Sequence, residues 1–148
     1  MFRHILVSTD GSKLSKKAIQ AAVRLAKATG AKVTGVFVIE PYVPPVYGEG
    51  TMYVPGNSPK RYKEMAGKEA KKALAEIDIA AQTAGVEYGG ATLVANNPWE
   101  GIIRAAKEKK CDLIVMASHG RRGLAGLLLG SETAKVLTHS KIPVLVCR

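Results

Sequence analysis

The sequence has little of several features that would narrow its class at once. It holds two cysteines in 148 residues, too few for a disulfide framework. Only 5% of its residues are aromatic, which disfavours a surface that stacks on nucleic-acid bases. No apolar run reaches the roughly 18–20 residues of a membrane-spanning helix, so we expect no membrane partner. The first residues, MFRHILVSTDGS, lack a cationic leader, and we expect a cytoplasmic protein.

Acidic residues are also scarce relative to basic ones. The chain has 12 Asp and Glu against 22 Lys and Arg, a formal net charge of +10. Such an excess is found in proteins that bind nucleic acid, anionic lipid or a phosphorylated ligand. Lysines here stand beside glutamates, as in Lys63-Glu64 and Lys68-Glu69, which favours a solvated helix face. Nucleic acid ranks last among the partners because no recognition motif accompanies the charge.

Five strand-like runs alternate with four helical patterns. The runs are apolar almost throughout, as in parallel strands buried on both faces, and span residues 4–8, 32–39, 86–94, 111–116 and 142–146. The helices begin after Ser12, at Pro59, at Pro98 and at Ser131, and three of them end near Gly30, Gly85 and His139. This order predicts an α/β fold in one domain over residues 1–148: a doubly wound, Rossmann-like, five-stranded parallel sheet with helices on both faces.

Three details follow from that arrangement. Cys111 and Cys147 fall at opposite ends of neighbouring strands, out of reach of a disulfide. Gly89-Gly90 indicates a bulge or an edge position in the weakest strand. Residues 41–57, rich in Pro, Gly and Tyr, are predicted to form a mobile loop, either a lid over a site or a partner surface.

In a doubly wound sheet, ligands bind beyond the carboxyl ends of the strands where the strand order reverses. After the run at 111–116 come four glycines (120, 123, 126 and 130) and then a helix at Ser131. Such a loop brings backbone N–H groups close to an anion, and a helix N-terminus favours a phosphate. Arg121 and Arg122 would add charge-assisted contacts; the alternative is a glycine-rich turn with a Ser N-cap. After the first run, Asp10 either helps Ser12 to cap the helix or contacts a ligand.

Three segments carry a resemblance to a known family. VSTDGS, VFVIEP and VMASHGRRGLAGLLLGSETAKVL, followed by a final PVLV strand, resemble the universal stress protein family over essentially the whole chain. Its ATP-binding branch carries a Gly, two residues, a Gly, nine residues and then Gly-Ser or Gly-Thr. Gly120, the nine residues 121–129 and Gly130-Ser131 match this motif, whereas Ala117 takes the place of the first glycine.

The resemblance implies an adenine nucleotide alpha hydrolase-like fold, ATP with Mg²⁺ or Mn²⁺ as the ligand, and a two-fold homodimer that pairs the last strands. It places Asp10 and the backbone near Val38 at the adenine and Ala117 by the ribose. The implied phosphate-binding residues are Gly120, Gly130, Ser131 and Thr133, and the flanking residues of the site are Ser8, Thr9, Met116, His119, Arg121 and Glu132.

Two of these positions, and Asn96 outside them, depart from the family or from the expected charge. Ala117 costs about 1 kcal/mol of strain if the family glycine needs a positive φ, and nothing if φ is negative. Asn96, where the family often has Gly, tolerates the left-handed region, so no loss of fold is expected. The negative charge of Glu132, just inside the helix that faces the phosphates, is expected to lower the affinity for an anion slightly.

No catalytic set is evident in the sequence. It contains no GxxxxGK[ST] loop, no GxGxxG and no Cys/His cluster. His119 is the best candidate for catalysis, with ordering of the loop as the alternative; His4 and His139 lie at element ends and are interpreted as structural. We predict a stress-response binding and signalling module with at most slow ATP hydrolysis. A phosphoryl- or nucleotidyl-transferring enzyme, a nucleotide-free dimer acting through protein contacts, and a nucleic-acid binder stay open.

Overall fold

A five-stranded parallel sheet with helices on both faces organises the chain. A computed structural model describes residues 1–47, 50–51, 56, 58–121, 123 and 129–148. The elements are, in chain order, β1 (His4–Ser8), α1 (Lys13–Thr29), β2 (Lys32–Ile39), β3 (Val46–Tyr47), β4 (Gly50–Thr51), α2 (Pro59–Ala84), β5 (Tyr88–Val94), α3 (Pro98–Glu108), β6 (Leu113–Ala117), α4 (Ser131–His139) and β7 (Val144–Cys147).

The strand order in the sheet is β5-β2-β1-β6-β7, and all four neighbouring pairs are parallel. The order reverses between β1 and β6, because β2 and β5 are added on one side of β1 whereas β6 and β7 are added on its other side. The predicted doubly wound α/β fold is therefore confirmed. Both segments that the sequence singled out, after β1 and after β6, leave the sheet at this reversal.

Two apolar cores lie on the two faces of the sheet. Side chains of successive β1 residues point to opposite faces, so Ile5 and Val7 pack with α1 and α2 while Leu6 packs with α3 and α4. All three are fully buried. This burial on both sides explains why the strands read as continuous apolar runs rather than as alternating ones.

The predicted helix ends agree with the caps in the structure. Ser12 accepts the N–H of Ser15 at the start of α1, and Ser58 accepts the N–H of Arg61 at the start of α2. Gly30 and Gly85 end these helices at φ 71°, the left-handed region that favours glycine.

Three strands begin later than the sequence predicted. β5 begins at 88 instead of 86, β6 at 113 instead of 111, and β7 at 144 instead of 142. The cause before β6 is the end of α3: Cys111 still donates its N–H to the carbonyl of Ala106 at 2.8 Å, after a turn at Lys110 with φ 56°.

The segment 41–57 is not irregular throughout, because it contains a short hairpin that was not predicted from the sequence. Val46 pairs with Thr51 and Tyr47 with Gly50 in an antiparallel ladder; β-branched Val46 and Thr51 suit extended backbone. Residues 48–49, 52–55 and 57 lie outside the described part, so the predicted mobility of this segment stays a prediction.

Other sequence details have clear outcomes. Gly89-Gly90 lies in the edge strand β5, and the β2–β5 register runs without an inserted residue, so the position is an edge rather than a bulge. Cys111 and Cys147 are both free thiols. Within the described ranges, no helix combines the length and apolar character needed to cross a bilayer.

Candidate functional site

The loops after β1 and β6 enclose a cavity of about 500 Å³ at the carboxyl edge of the sheet. Every residue that the sequence analysis assigned to the site lines this cavity: Ser8, Thr9, Asp10, Val38, Met116, Ala117, His119, Gly120, Arg121, Gly130, Ser131, Glu132 and Thr133. The structure thus brings the whole predicted set together, while the role of each residue toward a ligand stays a prediction.

Five further lining residues were missed from the sequence: Val36, Glu40, Pro98, Ile102 and Gly123. Two of them belong to the C-terminal part of β2 and its exit, and Pro98 and Ile102 belong to the first turns of α3. The carboxyl-edge rule could have found these four, because β2 and β5 end at the same edge as β1 and β6. Gly123 lies within the glycine-rich loop that the sequence had already indicated.

Asp10 joins the two loops of the cavity. Its Oδ1 accepts the N–H of Ser12 at 2.9 Å, and its Oδ2 accepts the N–H of Arg121 at 2.8 Å. A Cβ on Gly120 would lie 2.7 Å from Oδ2, so glycine is needed here for space and not for a left-handed φ. Of the two interpretations of Asp10, the support of the α1 cap is confirmed, and the carboxylate also holds the loop after β6.

Thr9 fixes the other side of the β1 exit. Its N–H donates to the carbonyl of Val36 at 3.0 Å, and its Oγ1 accepts the N–H of Gly11 and contacts the Ser15 hydroxyl at 3.1 Å. Gly11 has φ 78°, which lets the chain turn sharply into α1. The backbone of this loop is therefore held by its own side chains before any ligand is considered.

Beyond this point β2 continues without β1 beside it. β1 ends opposite Val36, and the backbone groups of a strand alternate between its two neighbours. The carbonyl of Ile39 accepts the N–H of Ala95 at 3.1 Å, on the side of β2 that faces β5. The N–H and C=O of the preceding residue, Val38, therefore point to the opposite side, where β1 has already ended. That side is the cavity, which Val38 lines.

The N-terminus of α4 closes the opposite wall. Gly130, the N-cap, donates its N–H to the carbonyl of Ser118 at 2.7 Å and accepts the N–H of Ala134 at 3.0 Å. The N–H groups of the first helical residues, 131–133, have no carbonyl one turn back within the helix. Thr133 is buried and donates its hydroxyl to the carbonyl of Ala117 at 2.9 Å, which ties α4 to the end of β6.

Ala117 occupies the first motif position without backbone strain. It is the last residue of β6, pairs with Cys147 of β7, and is not among the residues of positive φ. The negative-φ alternative is therefore confirmed, and alanine costs nothing in backbone conformation here. Asn96 likewise avoids the left-handed region, in agreement with the expectation that the fold tolerates it.

His119 stands where the loop leaves β6. Its Nδ1 lies 2.9 Å from the hydroxyl of Ser118, while its Nε2 is buried and has no hydrogen-bond partner in the described part of the chain. A Cβ on Gly123 would lie 2.7 Å from the Cβ of His119, so the loop folds tightly over this residue. An unpaired buried nitrogen lining a cavity is a group that a ligand can satisfy.

Two charged side chains have protein partners that the sequence did not reveal. The Arg121 guanidinium pairs with Glu69 of α2 at 3.1 Å, so the predicted charge at the phosphate loop is directed toward a carboxylate in the structure. Glu132 accepts the N–H of Trp99 at 2.8 Å through Oε2 and lies 3.8 Å from the Lys135 ammonium. Arg122 lies outside the described residues.

The two other histidines contact protein groups away from the cavity wall. The His4 ring lies 2.7 Å from the Thr34 hydroxyl, and the His139 ring stacks on Trp99 with centroids 4.5 Å apart. No set of three or more His, Cys, Asp or Glu side chains in the described ranges is placed to hold a metal ion. The described lining residues include the carboxylates of Asp10, Glu40 and Glu132.

Comparisons with known proteins agree with this architecture. The profile of the universal stress protein family matches residues 1–148. Universal stress protein YxiE of Bacillus subtilis is 38% identical over 150 residues, and the match covers the whole of both chains.

Two solved structures illustrate the likeness of fold. Protein MJ0577 has a TM-score of 0.80 at 25% identity over 99% of this chain and 96% of its own. A universal stress protein in complex with cAMP has a TM-score of 0.72 at 28% identity over 99% of this chain and 97% of its own. These neighbours share the Rossmann-like, adenine nucleotide alpha hydrolase-like fold.

Proposed function

Because the chain belongs to the universal stress protein family, we propose that it binds an adenine nucleotide, with ATP as the principal ligand, in the cavity at the carboxyl edge of the sheet. The observation that carries the proposal is the juxtaposition of the free backbone edge at Val38 with the N-terminus of α4 across one cavity of about 500 Å³. The cAMP complex of a 28% identical relative supports the adenine nucleotide as the ligand class.

The Val38 edge suits the base. An N–H donor and a C=O acceptor on one residue match the acceptor and amino donor on the Watson–Crick edge of adenine. The side chain of Val38 is held in place by α3, since a Cβ on Gly101 would lie 2.7 Å from one of its methyl groups. Ile102 and Met116 supply apolar surface against the ring.

The α4 end suits the phosphates. Its unpaired N–H groups at 131–133 and the positive end of its dipole stabilise an anion, and the glycines at 120 and 130 let the loop backbone approach closely. Nε2 of His119, which has no hydrogen-bond partner among the described residues, adds a further nitrogen to this wall. Arg121 takes part through the N–H that fixes the loop on Asp10, rather than as a free cation.

We propose that Mg²⁺ or Mn²⁺ enters with the nucleotide. Mg²⁺ in nucleotide sites is held by phosphates, water and one or two carboxylates. The described residues fit that pattern, because they offer single carboxylates at the cavity, such as Glu40, and no cluster of three metal ligands. When bound, the ion would neutralise phosphate charge.

The site residues support binding and signalling more than catalysis. Hydrolysis of ATP needs a positioned nucleophile and a charge that stabilises the transferring phosphoryl group, and the one described arginine at the cavity is paired with Glu69. We propose a stress-response binding module, cytoplasmic and folded as one domain over residues 1–148, whose ATP hydrolysis is slow at most.

A second candidate is a nucleotide-free dimer that acts through protein contacts. It is favoured by β7, an edge strand at the end of the sheet whose Leu145 is 40% exposed. An apolar edge of this kind is a template for pairing with another chain, and pairing with a second copy would be isologous. We propose the homodimer through β7 for either candidate.

Nucleotide content and binding separate the two candidates. Freshly purified protein is extracted with acid and chromatographed, and the emptied protein is titrated with ATP and Mg²⁺. We expect co-purified or titratable adenine nucleotide, lost in Gly130→Asp, which puts a carboxylate at the α4 N-terminus. Gly67→Asp is the matched control, because a Cβ on Gly67 in α2 meets nothing within 4 Å. Absence of nucleotide and of binding at millimolar ATP would overturn the proposal and favour the dimer.

A further inference from the structure

Glu132 is the second residue of α4 and lines the cavity beside the helix N-terminus to which the proposed phosphates would bind. Its carboxylate lines the cavity, yet it is bonded to a different helix: Oε2 accepts the N–H of Trp99 in the first turn of α3 at 2.8 Å. The N-termini of α3 and α4 thus meet at one edge of the cavity. The α3 N-terminus is already bonded to an anion of the protein itself, the Glu132 carboxylate.

The α3 end depends on this carboxylate. Its N-cap, Asn97, makes no side-chain cap bond and instead donates its amide to Glu100 at 3.1 Å. Pro98 has no N–H, and the N–H groups of Glu100 and Gly101 donate to the carbonyl of Asn97 at 3.2 and 3.4 Å. The Trp99 N–H is therefore the donor at this helix end that a side chain from outside satisfies, and Glu132 is that side chain.

The negative charge of Glu132 is weakly compensated. Among the described residues, its ion-pair partner is the Lys135 ammonium at 3.8 Å, and the side chains of Glu132 and Lys135 are 36% and 47% exposed. An exposed pair of this kind contributes little. Asp10 and Glu40 add carboxylates to the same cavity, whereas Arg121 is paired with Glu69.

We propose that Glu132 makes the site discriminate between nucleotides by phosphate charge, lowering the affinity for metal-free ATP relative to AMP. The inference rests on the proposed function. In the absence of metal, AMP carries about two negative charges and ATP about four, so a fixed carboxylate beside the phosphate cradle repels ATP more. The backbone N–H groups of α4 attract both.

The test compares AMP, ADP and ATP binding in EDTA by calorimetric titration, for the wild type and two variants. Glu132→Gln removes the charge and keeps an oxygen that accepts the Trp99 N–H, whereas Glu132→Ala removes both. We expect each variant to tighten ATP binding about three- to tenfold, on the scale of charge pairs near a protein surface. AMP binding should change by less than about twofold and ADP should fall between.

Glu108→Gln is the matched control, since it removes the same charge at the far end of α3, where Glu108 pairs with Arg104. It should leave the ATP-to-AMP ratio unchanged. Trp99 is the single tryptophan of the chain, and its indole stacks on the His139 ring of α4 with centroids 4.5 Å apart, so its fluorescence reports whether the packing of α3 on α4 survives in each variant.

The outcomes are distinguishable. A wild type that binds no adenine nucleotide refutes the proposed function itself. A wild type that binds, with an unchanged ATP-to-AMP ratio in both variants, overturns the role of Glu132 alone. A ratio that moves in Glu132→Ala but not in Glu132→Gln also overturns it, because the loss of the α3 cap and not the charge would then be responsible.

Discussion

Replacing Gly120 by alanine tests the contact that holds the two loops of the cavity together. The added Cβ would lie 2.7 Å from Oδ2 of Asp10, closer than the 3.0 Å below which a neighbour has to shift. That oxygen accepts the N–H of Arg121 at 2.8 Å. Because the backbone at Gly120 is not left-handed, the carboxylate alone opposes alanine, and the Asp10 side chain has to move to make room for it. We therefore expect Gly120→Ala to break the Asp10–Arg121 hydrogen bond.

The size of the effect follows from that bond. A hydrogen bond to a charged group contributes about 1.5–3 kcal/mol, and partial exposure of this one places the loss in the free energy of unfolding at about 1–2 kcal/mol. For a domain of this length, the melting temperature should fall by about 2–8 °C. The affinity for the proposed adenine nucleotide should fall more than about tenfold, because misplacing a binding group by about 1 Å can cost up to about a hundredfold.

Three further variants make this expectation refutable. Gly67→Ala, in α2 where an added Cβ meets nothing within 4 Å, should raise the free energy of unfolding by about 0.5–1 kcal/mol. In an Asp10→Ala background the Gly120→Ala change should cost little, since the clashing carboxylate is gone. Thermal unfolding followed by circular dichroism measures the wild type and the four variants, namely Gly120→Ala, Gly67→Ala, Asp10→Ala and the double variant. An unchanged melting temperature in Gly120→Ala, or strictly additive effects with Asp10→Ala, would refute the argument.

Three other predictions concern the core and the amino edge of the sheet. Gly101→Ala should destabilise the fold by about 1–3 kcal/mol in denaturant unfolding, because its Cβ would lie 2.7 Å from a Val38 methyl group. Burial raises the pKa of the Cys111 thiol to about 11, so this thiol should resist alkylation at pH 8 until the protein unfolds, as mass spectrometry can follow. Burial, together with the nearby charge of Lys32, lowers the pKa of His4. Burial alone would raise the pKa of Asp112, but hydrogen bonds from the backbone N–H groups of Arg3 and His4 outweigh it and lower that pKa. Each folded-state pKa lies below its unfolded value, so stability should decline as the pH falls below about 6.5 for His4 and below about 3.9 for Asp112; urea titrations across this range should show a flatter acid limb in Asp112→Asn.

The sequence located the candidate site because parallel topology leaves no choice about where strand ends meet. Ser8 to Asp10 follow β1 and Ala117 to Arg121 end β6, and once these strands are neighbours their exits share one edge. The glycine spacing then indicated where backbone could approach a ligand. The family resemblance then assigned individual residues, including Val38 and Thr133, and all thirteen predicted site residues line the cavity.

The sequence could not predict which side chains distant along the chain form ion pairs and hydrogen bonds with each other. The sequence predicted that Arg121 would contact a phosphate as a free cation, but its guanidinium pairs with Glu69, which lies 52 positions earlier in the chain. The sequence predicted only that Glu132 would slightly weaken anion binding, whereas its carboxylate also caps α3 by accepting the Trp99 N–H. These pairings depend on where α2 and α3 pack against the sheet, which no local pattern records.

The sequence by itself determined the α/β alternation, the helix caps and the edge of the sheet that holds the cavity, because these follow from local periodicity, capping residues and the handedness of parallel crossovers. Only the tertiary structure decided that Ala117 sits in unstrained strand backbone, that Gly120 is required by the Asp10 carboxylate, and that Glu132 belongs to α3 as much as to α4. The physical reason is that hydrogen bonds and close contacts form between groups within a few ångströms in space, and sequence separation does not constrain which groups those are.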